Sequence, residues 1–177
     1  MRAVLGGWWM GLLAVGVVGL LAPVAAAAET SKADVSIGYS RLGKDTFHAG
    51  AGGLNGWEGS MNVKVKRFVG IEGDVARYGM GASASTPHST VVMFGPRVTA
   101  GTAGVHVFVH ALLGGEHTSN NVGLSETGAA VSLGGGGDVR IAPFFAVRGS
   151  ADWLDAPGKT PSGASRARYS VGVVCRF

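Results

Sequence analysis

The chain has 177 residues, 31 of them glycine, with 46% hydrophobic and only 15% charged residues and a formal net charge of +4. High hydrophobicity with low charge excludes intrinsic disorder, and glycine without a three-residue period beside only six prolines excludes collagen. The single cysteine, Cys175, excludes a disulfide scaffold and a cysteine-based zinc site, and the length beyond any leader suits one domain.

Residues 1–28 read as a signal peptide. Arg2 is a one-charge n-region, Ala3 to Leu21 is an apolar run, and Pro23 precedes an alanine tract in which Ala26 and Ala28 form an A-x-A cleavage pattern. The run is also long enough for a membrane anchor, but the abrupt polarity switch at Glu29-Thr30 favours cleavage. No cysteine stands at its end, which excludes a lipoprotein anchor. The mature chain, residues 29–177, keeps 14 Lys and Arg against 11 acids, scattered, with no basic run longer than Lys66-Arg67. A nucleic-acid partner is therefore not expected.

Eight segments of the mature chain alternate with period two, and none reads as a helix. In the first, Val35, Ile37 and Tyr39 alternate with Asp34, Ser36, Gly38 and Ser40. In the second, Trp57, Met61, Val63 and Val65 oppose Glu58, Ser60, Asn62, Lys64 and Lys66. The third sets Val69, Ile71 and Val75 against Glu72 and Asp74, and the fourth sets Val92, Phe94 and Val98 against Arg97. The fifth opposes Val105, Val107, Val109, Ala111 and Leu113 to a mixed face of His106, Phe108, His110, Leu112 and Glu116. Ala129, Val131, Leu133, Val139 and Ile141 then face away from Ser132, Asp138 and Arg140, and Val147, Ala151 and Trp153 from Arg148, Ser150 and Asp152. Tyr169, Val171, Val173, Cys175 and Phe177 close the series opposite Arg168, Ser170, Gly172, Val174 and Arg176.

The connections alternate in length. Those at residues 66–68, 100–103 and 142–144 are short, while those near 41–53, 77–88, 117–127 and 154–166 are long and rich in Gly, Ser, Thr, Asn and Pro. This is the pattern of a transmembrane barrel with short periplasmic turns and long external loops, and strands of about 9–11 residues suit a tilted crossing. Alternation alone also fits a soluble barrel with its apolar face inward. Three features favour the inverted arrangement: a polar face mixing acids and bases with glycine, aromatics near the ends of the apolar faces (Tyr39, Trp57, Trp153, Tyr169), and a terminal Phe177. The expected fold is all-β, an eight-stranded antiparallel up-and-down transmembrane β-barrel over 29–177, behind the cleaved signal peptide.

Phe94 to Arg97, Phe108 to Gly115, Gly134 to Asp138 and the ending Arg168 to Phe177 carry a resemblance to a known family. The stretch from Ala33 to Phe177 resembles the small eight-stranded outer-membrane β-barrel proteins of the OmpA and opacity-protein type. The resemblance implies an outer-membrane location, outer-membrane lipid and lipopolysaccharide as surroundings, and no single shared activity. It also implies that Tyr169 and Phe177 form the signal read by the outer-membrane assembly machinery. Cys175 departs from that signal, where an aromatic is common.

The polar face supplies a candidate lumen charge network: Lys64, Glu72, Asp74, Arg97, Asp138, Arg140, Arg148 and Asp152. These charges could line an ion path. In a lumen just wide enough for side chains they are expected to neutralise one another, giving a plug rather than a small passive pore. His106 and His110 lie about 13 Å apart on a strand at ~3.3 Å per residue, so they cannot share one metal ion. Gly134 to Gly137 lacks the Lys-Ser/Thr of a phosphate loop, so space for lumen side chains or strand bending is expected there, and no cofactor or metal.

One enzymatic pattern is present. His117-Thr118-Ser119-Asn120 resembles the H-x-S-N motif of outer-membrane lipid A deacylases, in which a histidine activates a serine and an acid, here Glu126, orients it. His117 is expected to end the fifth strand and to face the outer leaflet, where that substrate lies. Against catalysis, the surrounding residues read as a polar external loop, and in those enzymes the motif falls later in the barrel. The expectation is a monomeric, non-enzymatic barrel with an envelope-structural or surface-interaction role through its external loops. A lipid A acyl hydrolase and a passive pore are the alternatives.

Overall fold

The computed structural model describes residues 32–45, 53–79, 88–102, 104–119, 125–156 and 164–177. The expected signal peptide, 1–28, and most of the four external loops lie outside these residues. Eight strands follow one another: β1 Ala33–Asp45, β2 Leu54–Lys64, β3 Val69–Tyr78, β4 His88–Gly101, β5 Val105–Ser119, β6 Ser125–Ala142, β7 Phe145–Ala156 and β8 Ala164–Arg176. Each pairs antiparallel with its sequence neighbours, and β1 pairs with β8 to close the barrel. Closure leaves no free sheet edge, which is the condition for a sheet to stand in hydrocarbon.

The register gives the tilt. A row of paired residues runs from Val35 through Met61, Gly73, Phe94, Leu113, Val131 and Asp155 to Ser165. Yet the direct partner of Val35 on β8 is Cys175, ten residues further along. The shear is therefore ten over eight strands, so the strands tilt strongly and each row climbs about 1.25 residues per strand towards the long-loop end.

The pleat sorts the side chains as the alternation implies, with the apolar set outside. Ile37, Met61, Ile71, Phe94, Leu113, Leu133, Ile141, Val171 and Val173 are all exposed on the outer wall. A soluble barrel would bury this face, whereas here it forms a lipid-facing belt. Phe144, Phe145 and Phe177 border it at the short-turn end and Tyr39, Trp57, Trp153 and Tyr169 towards the long-loop end, with Tyr39 Oη donating to Asn55 Oδ1 at 2.7 Å.

The strands run further than the sequence suggests. Residues 41–45, 77–78, 117–119, 125–127, 154–156 and 164–166, read above as loop, continue the ladders. Beyond the belt the outer face meets polar surroundings while Leu42, Tyr78 and Leu154 turn inward, so the apolar-outside alternation fades from the sequence while the backbone pairing persists. Ser119 and Glu126 thus stand on strands and not in a loop, and β5 runs two residues past His117, its expected end.

Candidate functional site

Among the described residues, the barrel interior holds the buried ion pairs and polar side chains, arranged in layers from the short-turn end upward. In the lowest layer Asp138, on β6, accepts from Arg148 and Arg176 and has a third arginine, Arg97, as an ion-pair neighbour. Arg148 Nε lies 2.7 Å from Oδ1 and Arg176 Nη2 2.9 Å from Oδ2, while Arg97 Nη2 stands 3.7 Å away. Asp34 joins the same layer, 2.9 Å from Arg148 Nη2 and 3.4 Å from Arg97 Nη1, and accepts from Asn62 Nδ2 at 2.9 Å. Arg148 Nη1 also donates to Ser36 and Ser60. The guanidinium carbons of Arg97 and Arg148 sit 3.8 and 4.8 Å from the centre of the Phe108 ring, so one aromatic ring supports both cations.

His110 links this layer to the next. Its Nδ1 is 2.8 Å from Glu72 Oε2 and its Nε2 is 2.6 Å from Asp152 Oδ1. Glu72 in turn lies 3.4 Å from Arg97 Nη1. Arg168, on β8, then gathers Asp152 at 2.9 Å, Asp74 at 2.7 Å and Glu58 at 3.7 Å. Arg97 and Arg168 are both 0% exposed, which places full charges where only counter-charges can hold them.

Above the charges the chemistry changes. Leu42, Tyr78, Val91, Met93, Leu112 and Leu154, with Ala76 and Ala130, form a buried apolar cluster across the barrel. Over it, Glu116 is buried against Arg166 and accepts from Ser89 Oγ at 2.6 Å. Among the described residues, two cavities between interior side chains have about 10 Å³ each. The one at the short-turn mouth, lined by Asp34, Lys64, Arg97, His106, Asp138 and Arg176, has about 10 Å³, room for roughly one water.

Glycine makes this packing possible at two positions of the Gly134–Gly137 run. A Cβ on Gly136 would lie 2.8 Å from Cζ of Phe108, and one on Gly134 would collide with the Asp152 carboxylate. The inward glycines of β6 are the space in which Phe108 and Asp152 stand.

Of the predicted network, Glu72, Asp74, Arg97, Asp138, Arg148 and Asp152 meet in the two charged layers. Lys64 stands half-buried at the short-turn mouth, and Arg140 is half-buried near the same end of β6. Asp34, Glu58, Glu116, Arg166, Arg168 and the Phe108 support were not in that set. Parity on their strands points most of them inward, so the signal was present; Arg166 fell in a segment read as loop.

The deacylase-like residues are not assembled. His117 is exposed on the outer wall and its Nδ1 lies 2.7 Å from Thr127 Oγ1, its cross-strand partner. Ser119 shares that face two residues away, whereas Glu126 pairs with Thr118 and so falls on the other side of the pleat. Among the described residues no group of three or more His, Cys, Asp or Glu is placed to hold a metal ion. Tyr169 and Phe177 are both exposed on the outer wall of β8 and at its end.

An inside of paired charge and an outside of exposed apolar residues define a small eight-stranded transmembrane β-barrel of the outer-membrane class. No family model and no curated protein matches the chain. Solved structures do. The N-terminal β-barrel domain of OprF from Pseudomonas aeruginosa matches with TM-score 0.62 at 14% identity, over 83% of this chain and 98% of that one. Neisserial surface protein A matches with TM-score 0.61 at 13% identity, over 82% and 96%. Ail, the attachment invasion locus protein of Yersinia pestis, matches with TM-score 0.57 at 20% identity, over 84% and 100%, and has also been solved with the heparin analogue sucrose octasulfate. The likeness is one of fold, and it agrees with the family resemblance read from the sequence.

Proposed function

We propose that this protein is a non-enzymatic outer-membrane barrel that acts in envelope structure or surface interaction through its external face. The observation that carries this reading is the filled interior. Two layers of mutually paired charge lie beneath an apolar cluster, and the cavity at the short-turn mouth has room for about one water. A lumen so closed offers the cell two surfaces and no passage. The neighbours named above as a surface protein and an attachment protein support a surface role. The outward Tyr169 and Phe177 support recognition by the assembly machinery, lipopolysaccharide is the expected lipid partner, and the barrel acts as a monomer.

Electrical recording of the mature barrel refolded into planar bilayers tests this directly. The expected result is no unitary conductance above the bare bilayer, and reproducible single-channel steps would make it a pore instead. Lipid A from a deletion strain and from a Ser119→Ala strain should match that of the parent in acyl content. A change on Ser119→Ala would replace the structural reading with the hydrolase one.

A further inference from the structure

The outer wall is not uniformly convex. Across β1 to β4 it holds an open apolar groove of about 540 Å³. Gly59 and Gly73 form its floor, and Met61, Val75, Val92 and Phe94 form its walls. A Cβ on Gly73 would meet nothing within 4 Å, so the depression comes from absent side chains and not from a kink in the backbone.

The register shows where the groove leads. Tyr39, Trp57 and Arg77 form one paired row directly beyond it on the long-loop side. Arg41 lies two residues past Tyr39 on the same outward face. A row climbs about two and a half residues over two strands, so Arg41 and Arg77 stand level, their Cα positions about 12 Å apart at ~4.8 Å per strand and ~3.3 Å per residue. Both are exposed. The groove therefore rises along the outer half of the apolar belt, passes the aromatic residues Tyr39 and Trp57, and ends beneath two cations separated by roughly the span of a disaccharide.

We infer that this wall is a lipid A docking site: the groove takes one acyl chain, and Arg41 and Arg77 take the phosphates at the two ends of the sugar headgroup. Charge complementarity selects an anionic lipid, since guanidinium groups pair with phosphate oxygens in a two-point geometry. The depth selects the outer leaflet, because the arginines lie on the long-loop side of the belt. The spacing selects a headgroup with two separated phosphates over one with a single phosphate. The inference rests on the proposed outer-membrane surface role, and names the lipid and the strands that contact it.

The test compares the full mature barrel with two double variants, Gly59→Leu/Gly73→Leu, which fills the groove, and Arg41→Gln/Arg77→Gln. Each is refolded in mixed micelles containing hexa-acylated, bis-phosphorylated lipid A, and lipid retained per barrel after washing is counted by mass spectrometry. Unboiled gel migration confirms that each variant is folded. Retention should fall on the order of tenfold in the arginine variant, the loss expected from removing a charge-assisted contact, and by a similar factor in the leucine variant, which takes the acyl chain's burial away. Loss in the arginine variant alone would overturn the groove assignment, and undiminished retention in both would overturn the site. Equal retention of phosphatidylglycerol by the parent would overturn lipid A as the occupant. Cross-linked dimers abolished by the leucine variant, with lipid retention intact, would assign the groove to a second copy. If the parent retains no lipid A at all, lipopolysaccharide also falls as a partner in the proposed function.

Discussion

The lower and upper halves of the lumen are built from the same strands and the same inward positions, yet they are filled in opposite ways. On β3, Glu72 and Asp74 point into the charged layers, and the next two inward residues, Ala76 and Tyr78, belong to the apolar cluster. On β5, His110 bridges two carboxylates and Leu112, two residues later, is fully buried among aliphatic neighbours. The lower half holds its shape by direction, because each guanidinium must meet particular oxygens. The upper half holds by contact, which is non-directional and excludes water. Together they make a plug whose lower part specifies the closure of the barrel and whose upper part seals it. Arg148 of β7 reaches Asp34 of β1, and Arg168 of β8 reaches Asp74 of β3, so the ion pairs cross the lumen and tie together strands that share no ladder.

The largest effect should come from breaking the lower half at its most shared acceptor. Asp138→Ala removes the partner of Arg148 and Arg176 and a neighbour of Arg97 while leaving all three cations in place. Breaking a buried pair on one side typically costs about 3–5 kcal/mol, because the abandoned charge stays desolvated. Urea unfolding of the barrel in lipid vesicles, followed by the emission of Trp57 and Trp153, should show a loss of that size. A loss below about 1 kcal/mol would mean that water enters the lower lumen freely, and would remove the basis for treating the charges as a lattice.

A smaller loss is expected from the upper half. Leu112→Ala deletes a fully buried side chain from the apolar cluster and should cost about 2–5 kcal/mol, the range set by how far the neighbours collapse. The two variants also separate by a second measurement. Leu112→Ala opens the seal and leaves the lattice intact, so ion leak across vesicles should stay at the level of the parent. A conductance in Leu112→Ala with none in the parent would instead show that the apolar cluster alone closes the barrel.

The contrast between the halves was unequally legible in the sequence. Strand number, turn positions and the inward direction of Glu72, Asp74, Asp138, Arg148 and Asp152 follow from period two, a local property. The identity of each partner does not, since Asp34 and Arg148 are 114 residues apart and meet only because the barrel closes with a shear of ten. The apolar cluster was harder still. Leu42, Tyr78 and Leu154 lie where the alternation fades into polar segments, so they read as loop. Phe108 and Leu112 read as breaks in a polar face, although the first supports two arginines and the second belongs to the seal. The lipid-facing groove was legible only in part: parity puts Gly59 between Trp57 and Met61 and Gly73 between Ile71 and Val75 on the outward face, but only the pairing of β2 with β3 brings the two gaps side by side.

The lumen tolerates many charges because each has a partner, and the outer wall allows the complementary experiment. Ile37 sits one residue from the inward Ser36, on the opposite side of β1, and is 67% exposed in the apolar belt. Ile37→Arg therefore places a guanidinium at a similar depth to Arg148, with acyl chains around it in place of Asp34 and Asp138. An arginine facing lipid near the bilayer midplane costs about 2–4 kcal/mol, falling to about 0–1 near the interfaces. Unfolding in vesicles of increasing acyl-chain length should raise the cost, as the side chain has further to reach a headgroup. Asp138→Ala should change little across the same series, since its stranded charges lie inside the protein and are screened from the bilayer by the barrel wall. If both variants shifted together with bilayer thickness, the lower lumen would be exchanging with the lipid environment, and pairing across the lumen would no longer explain how the arginines are held.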